Sequence, residues 1–152
     1  MNRSRGYSLI EIIVVITIGA VLSSIGLFGI NNLNRRQVVV QNAKTIVSEI
    51  RKTKSLADAQ QKPTGCDTLN GYSLTIVDEN TIKISAVCEN GLYLYQERTT
   101  GAVLGNLNSV YFPVLQQPAE FDSGDETGRI TVAQNEQTIT INISYTGAID
   151  YE

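Results

Sequence analysis

The feature that most constrains this chain is an apolar run that begins within a dozen residues of its start. From Ile12 to Asn34 no residue is charged, and the only polar side chains before Asn31 are Thr17, Ser23 and Ser24. At about 1.5 Å of rise per residue, a helix of that length matches the roughly 30 Å hydrocarbon core of a bilayer. One carboxylate, Glu11, stands at its leading edge. A charge within a membrane helix costs about 2.5–3.5 kcal/mol on insertion scales, so Glu11 calls for a partner or a task. A cleaved secretory signal has an apolar core of only about 7–15 residues, and here the run is longer with its carboxylate at the wrong end. A plain single-span anchor fits the length but leaves Glu11 unexplained. Arg3 and Arg5 flank one end and Arg35 and Arg36 the other, so the positive-inside rule assigns no orientation.

Ahead of the run lies a short cationic leader, Met1-Asn2-Arg3-Ser4-Arg5-Gly6, followed by Tyr7, Ser8-Leu9-Ile10 and then Glu11. Gly, an aromatic residue, three mostly small or apolar residues and Glu, set before a long apolar helix, resemble the type IV prepilin family, which includes the pseudopilins of type II secretion. The resemblance implies that prepilin peptidase cuts after Gly6 and that the new amino terminus, Tyr7, is N-methylated. It implies that Glu11 pairs with the amine of a neighbouring subunit during filament assembly. The implied partners are other pilin or pseudopilin subunits, the peptidase and the inner (cytoplasmic) membrane, with the leader in the cytoplasm and the rest of the chain beyond the span outside it.

Helical periodicity continues past the run. Val39, Ala43, Ile46, Val47, Ile50 and Ala57 recur at three- and four-residue steps, while Arg51, Lys52 and Asp58 lie off that stripe. Neither proline nor glycine interrupts Asn31 to Lys62, and Pro63 and Gly65 then supply a stop. The first half of this helix is apolar nearly all round and the second has one apolar face, so lipid or neighbouring subunits bury the first and a domain of the same chain buries the second. Many pilins carry a proline in the first half, where this chain has Phe28. Gly19, Gly26 and Gly29 are the alternative sites of loosening, or else close-packing positions.

From Gly71 the period changes to two. Tyr72, Leu74 and Ile76 alternate with Ser73, Thr75 and Val77, and after the turn Asp78-Glu79-Asn80 the residues Ile82, Ile84, Ala86 and Cys88 alternate with Lys83, Ser85 and Val87. Leu92 to Glu97 reads as a third strand, and Val110 to Leu115 as a weaker one that Pro113 directs to an edge. A polar loop from Phe121 to Gly128 precedes the clearest hairpin: Arg129 to Ala133, the turn Gln134-Asn135-Glu136, then Gln137 to Tyr145. Gly147 breaks the run before the end. The expected architecture is α+β, a long amino-terminal helix packed by its second half on an antiparallel β domain of one sheet or two small ones. The chain then divides into a leader 1–6, a span or filament-core helix 7–30, an amphipathic helix 31–62 and a β-rich domain 63–152. The late isoleucine-rich hairpin and terminal glycine look like the H-type pseudopilin or FimT-like minor pilin group.

Composition closes off several function classes. Histidine is absent, which removes imidazole as base or metal ligand and with it the serine and cysteine triads. No paired-carboxylate or Ser-Lys motif emerges, so an enzyme is not expected, and neither a cofactor nor a small-molecule substrate is implied. Cys66 and Cys88 both follow the span; on the orientation the resemblance implies, they lie in an oxidising compartment and read as one disulfide, two buried free thiols being the alternative. Asp122, Asp125 and Glu126 offer oxygen ligands of the type calcium prefers, without the EF-hand spacing, and remain weak metal candidates beside the reading of an ordinary acidic loop. Tyr72, Tyr93, Tyr95, Tyr111 and Tyr145 suggest a stacking platform for single strands, but half-buried sheet residues are the commoner use of such tyrosines. With a net charge of −3, no basic groove and an acidic tail, Gly147 to Glu152, nucleic acid is disfavoured as a partner. The alternative to a filament subunit is a membrane-anchored β-domain binding module, such as a DNA-binding minor pilin.

Overall fold

The computed structural model describes residues 8–151 apart from Gln116, Asp125 and Asn135, with the backbone alone described over 24–33. One helix, α1, spans Leu9–Asp58, and nine strands follow it. The chain forms two compact units, Met1–Arg36 and Gln37–Glu152. The first contains the opening turns of α1, and the second contains the rest of α1 and every strand.

In the second unit the helical stripe is the core-facing side. Val39, Ala43, Ile46, Val47, Ile50 and Ala57 are all buried, and Leu56 joins them. Each of the larger side chains contributes about 1.5–3 kcal/mol by leaving water. The helix ends at Asp58, four residues before the expected boundary at 62, and neither Pro63 nor Gly65 stops it. Gln60 adopts a left-handed backbone (φ 50°). The Gln61 amide then donates to the Leu56 carbonyl at 3.2 Å and the Gln60 amide to Ala57 at 3.0 Å. This paired closure satisfies carbonyls that the last turn would otherwise leave open.

The strands form two antiparallel sheets. The first has five strands in the order β3-β2-β1-β5-β6: Gly91–Thr99, Thr81–Cys88, Leu69–Asp78, Ser109–Pro113 and Glu120–Phe121. The second has four in the order β4-β7-β8-β9: Val103–Gly105, Thr127–Gln134, Gln137–Ser144 and Ile149–Tyr151. Alternation places Tyr72, Leu74, Ile82, Ile84 and Ala86 of the first sheet, and Ile130, Val132, Ile141 and Ile143 of the second, in one core with the helix stripe.

One expectation about the strands is corrected. The strand containing Pro113 is not at an edge, because β5 lies between β1 and β6. Pro113 is its last residue, opposite Gly71, and β6 pairs only with Val110 and Tyr111. The next amide, Val114, reaches back to the Asn70 carbonyl at 2.9 Å, so the N–H that proline lacks points away from β1, beyond the end of β6. The carboxyl-terminal segment pairs with the second sheet. Gly147, with φ 74°, turns the chain so that Ile149 and Tyr151 pair with Ile143 and Ile141. Where the sheets meet, the Phe121 ring of β6 lies over Gly128 of β7, where a Cβ would sit 2.5 Å from the ring.

Polar contacts flank the core on both sides of α1. Towards β3, Glu49, 7% exposed in its side chain, accepts from Arg98 Nε at 3.1 Å. Gln96 Nε2 lies 3.4 Å from both carboxylate oxygens of Glu49, Lys52 donates to Gln96 Oε1, and Lys52 Nζ sits 5.1 Å from the Tyr95 ring centre. Towards the second sheet, Asn42 Nδ2 donates to Gln134 Oε1 at 2.7 Å and Lys54 Nζ to the Thr146 carbonyl at 2.8 Å. The sequence gives no sign of these pairs, whose members lie dozens of residues apart.

Candidate assembly site at the amino-terminal helix

The first described residue, Ser8, lies just outside α1, and its carbonyl accepts from the amides of Glu11 at 3.0 Å and Ile12 at 3.3 Å. Glu11 therefore occupies the first turn. There the free N–H groups and the helix dipole favour a carboxylate by about 0.3–1 kcal/mol. Ser8 and Glu11 also have the Ser-x-x-Glu spacing of a capping box.

Every described side chain from Ser8 to Ser23 is exposed. The large apolar ones, from Leu9 through Leu22, are between 49% and 77% exposed. Four turns with no buried side leave no face that the chain's own residues cover. The hydroxyls do little to make this surface polar: Thr17 donates to the Val14 carbonyl at 2.9 Å and Ser23 to Gly19 at 2.8 Å. Such bonding within the helix keeps hydroxyls satisfied in an apolar medium. Nothing approaches within 4 Å of the site a Gly19 Cβ would occupy, so close packing there would need a neighbour outside the chain. Glu11 is thus the one ionisable group on an apolar cylinder between Leu9 and Ser23. It offers an acceptor to a cation brought by another molecule.

Among the described residues no helix is long and apolar enough to cross a membrane. The stretch with described side chains ends at Ser23, short of the about 20 residues a span needs. The span expected over 7–30 falls partly outside the described residues, as do Gly26, Phe28 and Gly29 in their side chains. The leader 1–6 and the cleavage and methylation positions, Gly6 and Tyr7, lie outside them entirely.

The other candidates sit in the second unit. Cys66 and Cys88 are joined in a disulfide, with Cα atoms 5.7 Å apart. It fastens the segment after α1 to the end of β2. Asn90 Nδ2 and the Tyr93 hydroxyl hold the same segment through the Gly65 carbonyl, at 2.8 and 2.6 Å. Asp122 and Glu126 are exposed in the acidic loop and Asp125 lies outside the described residues. No group of three side chains suited to a metal occurs among the described residues.

The five tyrosines do not form one platform. Tyr72 is buried, with its hydroxyl donating to the Gln61 carbonyl at 2.6 Å and its ring edge-on to Tyr95. Tyr111 lies on the opposite face of the first sheet, against Gly71, where no side chain would fit. Burial, and secondarily Tyr95, raises the Tyr72 pKa; burial, and secondarily Glu120, raises that of Tyr111.

Residues 1–27 match the family model of the prokaryotic N-terminal methylation motif. No curated protein and no solved structure gives a match to the chain. The chain carries the type IV prepilin-like amino-terminal methylation signal.

Proposed function

We propose that this chain is a non-catalytic structural subunit, a minor pilin or pseudopilin, of a type IV pilus or a type II secretion pseudopilus. Prepilin peptidase removes residues 1–6, cutting after Gly6, and Tyr7 becomes the N-methylated amino terminus. Helix 7–30 first anchors the subunit as a single span in the inner membrane and then packs in the filament core. Residues 31–62 carry the helix into the extracytoplasmic β-rich domain, 63–152. Glu11 pairs with the amine of Tyr7 on a neighbouring subunit, which neutralises two charges that apolar surroundings would otherwise penalise. The H-type or FimT-like minor group is the subgroup this sheet-rich domain resembles.

The observation that carries the reading is the methylation motif over 1–27 on a helix whose described side chains from Ser8 to Ser23 are exposed. Such a surface needs lipid or other subunits around it. The alternative, a DNA-capturing module, draws no support from the charge of the strand region. Beyond residue 62 the only cations are Lys83, Arg98 and Arg129, against twelve of the fifteen carboxylates.

The deciding experiment is the mass of the amino-terminal peptide from sheared filaments and from the cell envelope, for the unaltered chain and for Glu11→Ala. The expected result is a peptide beginning at N-methylated Tyr7 in both fractions of the unaltered chain. Glu11→Ala is expected to be cleaved normally yet lost from the sheared fraction. An intact Met1 terminus in cells with active peptidase would leave only a membrane anchor.

A further inference from the structure

The charges of this chain are segregated. Of twelve lysines and arginines, seven lie within 35–62, where the only carboxylates are Glu49 and Asp58, a balance of +5. Residues 63–152 hold twelve carboxylates and three cations, a balance of −9. Part of the positive surface is shaped. Lys44, Ser48 and Arg51 are exposed at four- and three-residue steps on one face of α1, and with Val47 and Tyr151 of β9 they line a cleft of about 350 Å³. The two cations lie about 10 Å apart along the helix. Neither is in an ion pair among the described residues, where the ion pair present is Glu49–Arg98.

The most concentrated negative surface is the turn holding Glu120, Asp122 and Glu126, all exposed, with Glu120 and Glu126 beside Tyr145. Its position on the same molecule is fixed by two bonds. The Ala119 amide donates to the Tyr145 carbonyl at 2.7 Å, and Lys54 Nζ donates to the adjacent Thr146 carbonyl at 2.8 Å. These bonds place the segment leading into the acidic turn near the carboxyl-terminal part of α1, on the Lys54 side of the cleft.

We infer that the Lys44–Arg51 cleft is the docking site for the acidic turn of a second copy of this chain. Complementary patches on one molecule, offset along its helix, mate head to tail. Such a heterologous contact leaves one patch of each kind open at the two ends, so it propagates where a two-fold contact would close. Charge complementarity sets the register and approach of such a contact more than its affinity. The inference rests on the filament reading above and adds to it that the neighbour is a like subunit. Anionic lipid headgroups are the other chemistry that two cations recognise, but they would leave the acidic turn without a counterpart.

The test uses two tagged copies of the full-length chain expressed together with the assembly machinery, one carrying Ser48→Cys and the other Ser123→Cys. The readout is the mixed disulfide between tags after mild oxidation. A cross-link is expected in the unreversed pair, falling at least about tenfold when the first copy also carries K44E and R51E. It is expected to return when the second copy then carries E120K, D122K and E126K. K44Q with R51Q serves as the milder variant, with an intermediate loss. Absence of the cross-link, indifference to reversal, or a loss not rescued by the opposite reversal would each overturn the docking. So would reversal that leaves the cross-link intact while releasing the chain from vesicles containing phosphatidylglycerol, which would assign the cleft to lipid. The mass of the amino-terminal peptide from the same cells separates the two proposals. Cleavage at Tyr7 and presence in sheared filaments without a charge-dependent cross-link defeats the docking alone, whereas an uncleaved chain defeats the filament reading.

Discussion

Tyr72 shows how one buried side chain links the helix end to the sheet. Its hydroxyl donates to the Gln61 carbonyl just beyond the turn that closes α1, and burial raises its pKa above 10.0. Below pH 10.0 folded and unfolded chains both hold the proton, and the stability is fully present. As pH rises past that value the unfolded chain releases the proton first, so stability falls until the folded value is also passed. Tyr111 adds a second group with the same sign. Urea midpoints of the full chain in detergent are therefore expected to drop as pH rises past 10.0. Tyr72→Phe should flatten that drop while costing about 0.5–1.5 kcal/mol at neutral pH for the lost hydrogen bond; an unchanged slope would refute the assignment. Glu49 yields a second expectation at this scale. Its side chain is 7% exposed and that of Arg98 48%, so the two ends of the pair differ. Arg98→Met strands a buried carboxylate and is expected to cost about 1–3 kcal/mol, whereas Glu49→Gln frees an arginine that water can reach and should cost less. Equal losses in urea unfolding would show that the pair is not desolvated on the glutamate side.

Among the elements, the disulfide is the clearest lever. It closes a loop of 22 residues, for which the chain-entropy model gives roughly 3 kcal/mol. Replacing both cysteines by serine is expected to lower stability by about 2–4 kcal/mol, read as a lower urea midpoint that added reductant no longer changes. A reductant-sensitive midpoint in the double variant would mean that something else is being reduced. The bond joins two cysteines whose even count already suggested it, and other elements were as open to reading. The helix stripe from Val39 to Ala57 and the alternations in β1, β2, β7 and β8 are long enough to show their period, and burial follows it at most positions, with Ser85 buried and Ile76 and Ile139 half-buried as exceptions. What escaped has physical reasons. β4, β6 and β9 are two or three residues each, too short for a period of two to register. The end of α1 rests on Gln60 in a conformation usually left to glycine. Gly147 reads as a terminator, yet its φ of 74° makes it the bend that returns the tail to β8. At the candidate site Glu11 and its apolar setting were legible from spacing alone. The cleft beneath Lys44 and Arg51 was not, because its wall is Tyr151, a residue whose strand forms only once the tail has folded back.

Across the whole molecule, the two kinds of helical surface divide the work. Among the described residues the buried core begins at Val39, and every member of the continuous apolar cluster comes from Ala43 onward. Nothing described between Ser8 and Ser23 contributes a buried side chain. On this distribution the described buried side chains, and the stability they supply, belong to the second unit. A chain shortened to 35–152 is therefore expected to fold alone. It keeps the stripe on α1, the two sheets, the Glu49–Arg98 pair and the disulfide, and it loses the exposed apolar turns described from Leu9 to Ser23. It should remain in solution without detergent, form the Cys66–Cys88 bond and unfold in one cooperative transition. Its urea midpoint should lie close to that of the full chain in detergent, since none of the described core residues has been removed. The helical signal should fall only by the residues deleted, because the stripe holds what remains of α1 against the sheets. A shortened chain that melted without cooperativity, or lost the far larger helical signal of all α1, would show that the opening turns support the domain after all. The separation between a folding unit and an assembling helix would then have to be given up.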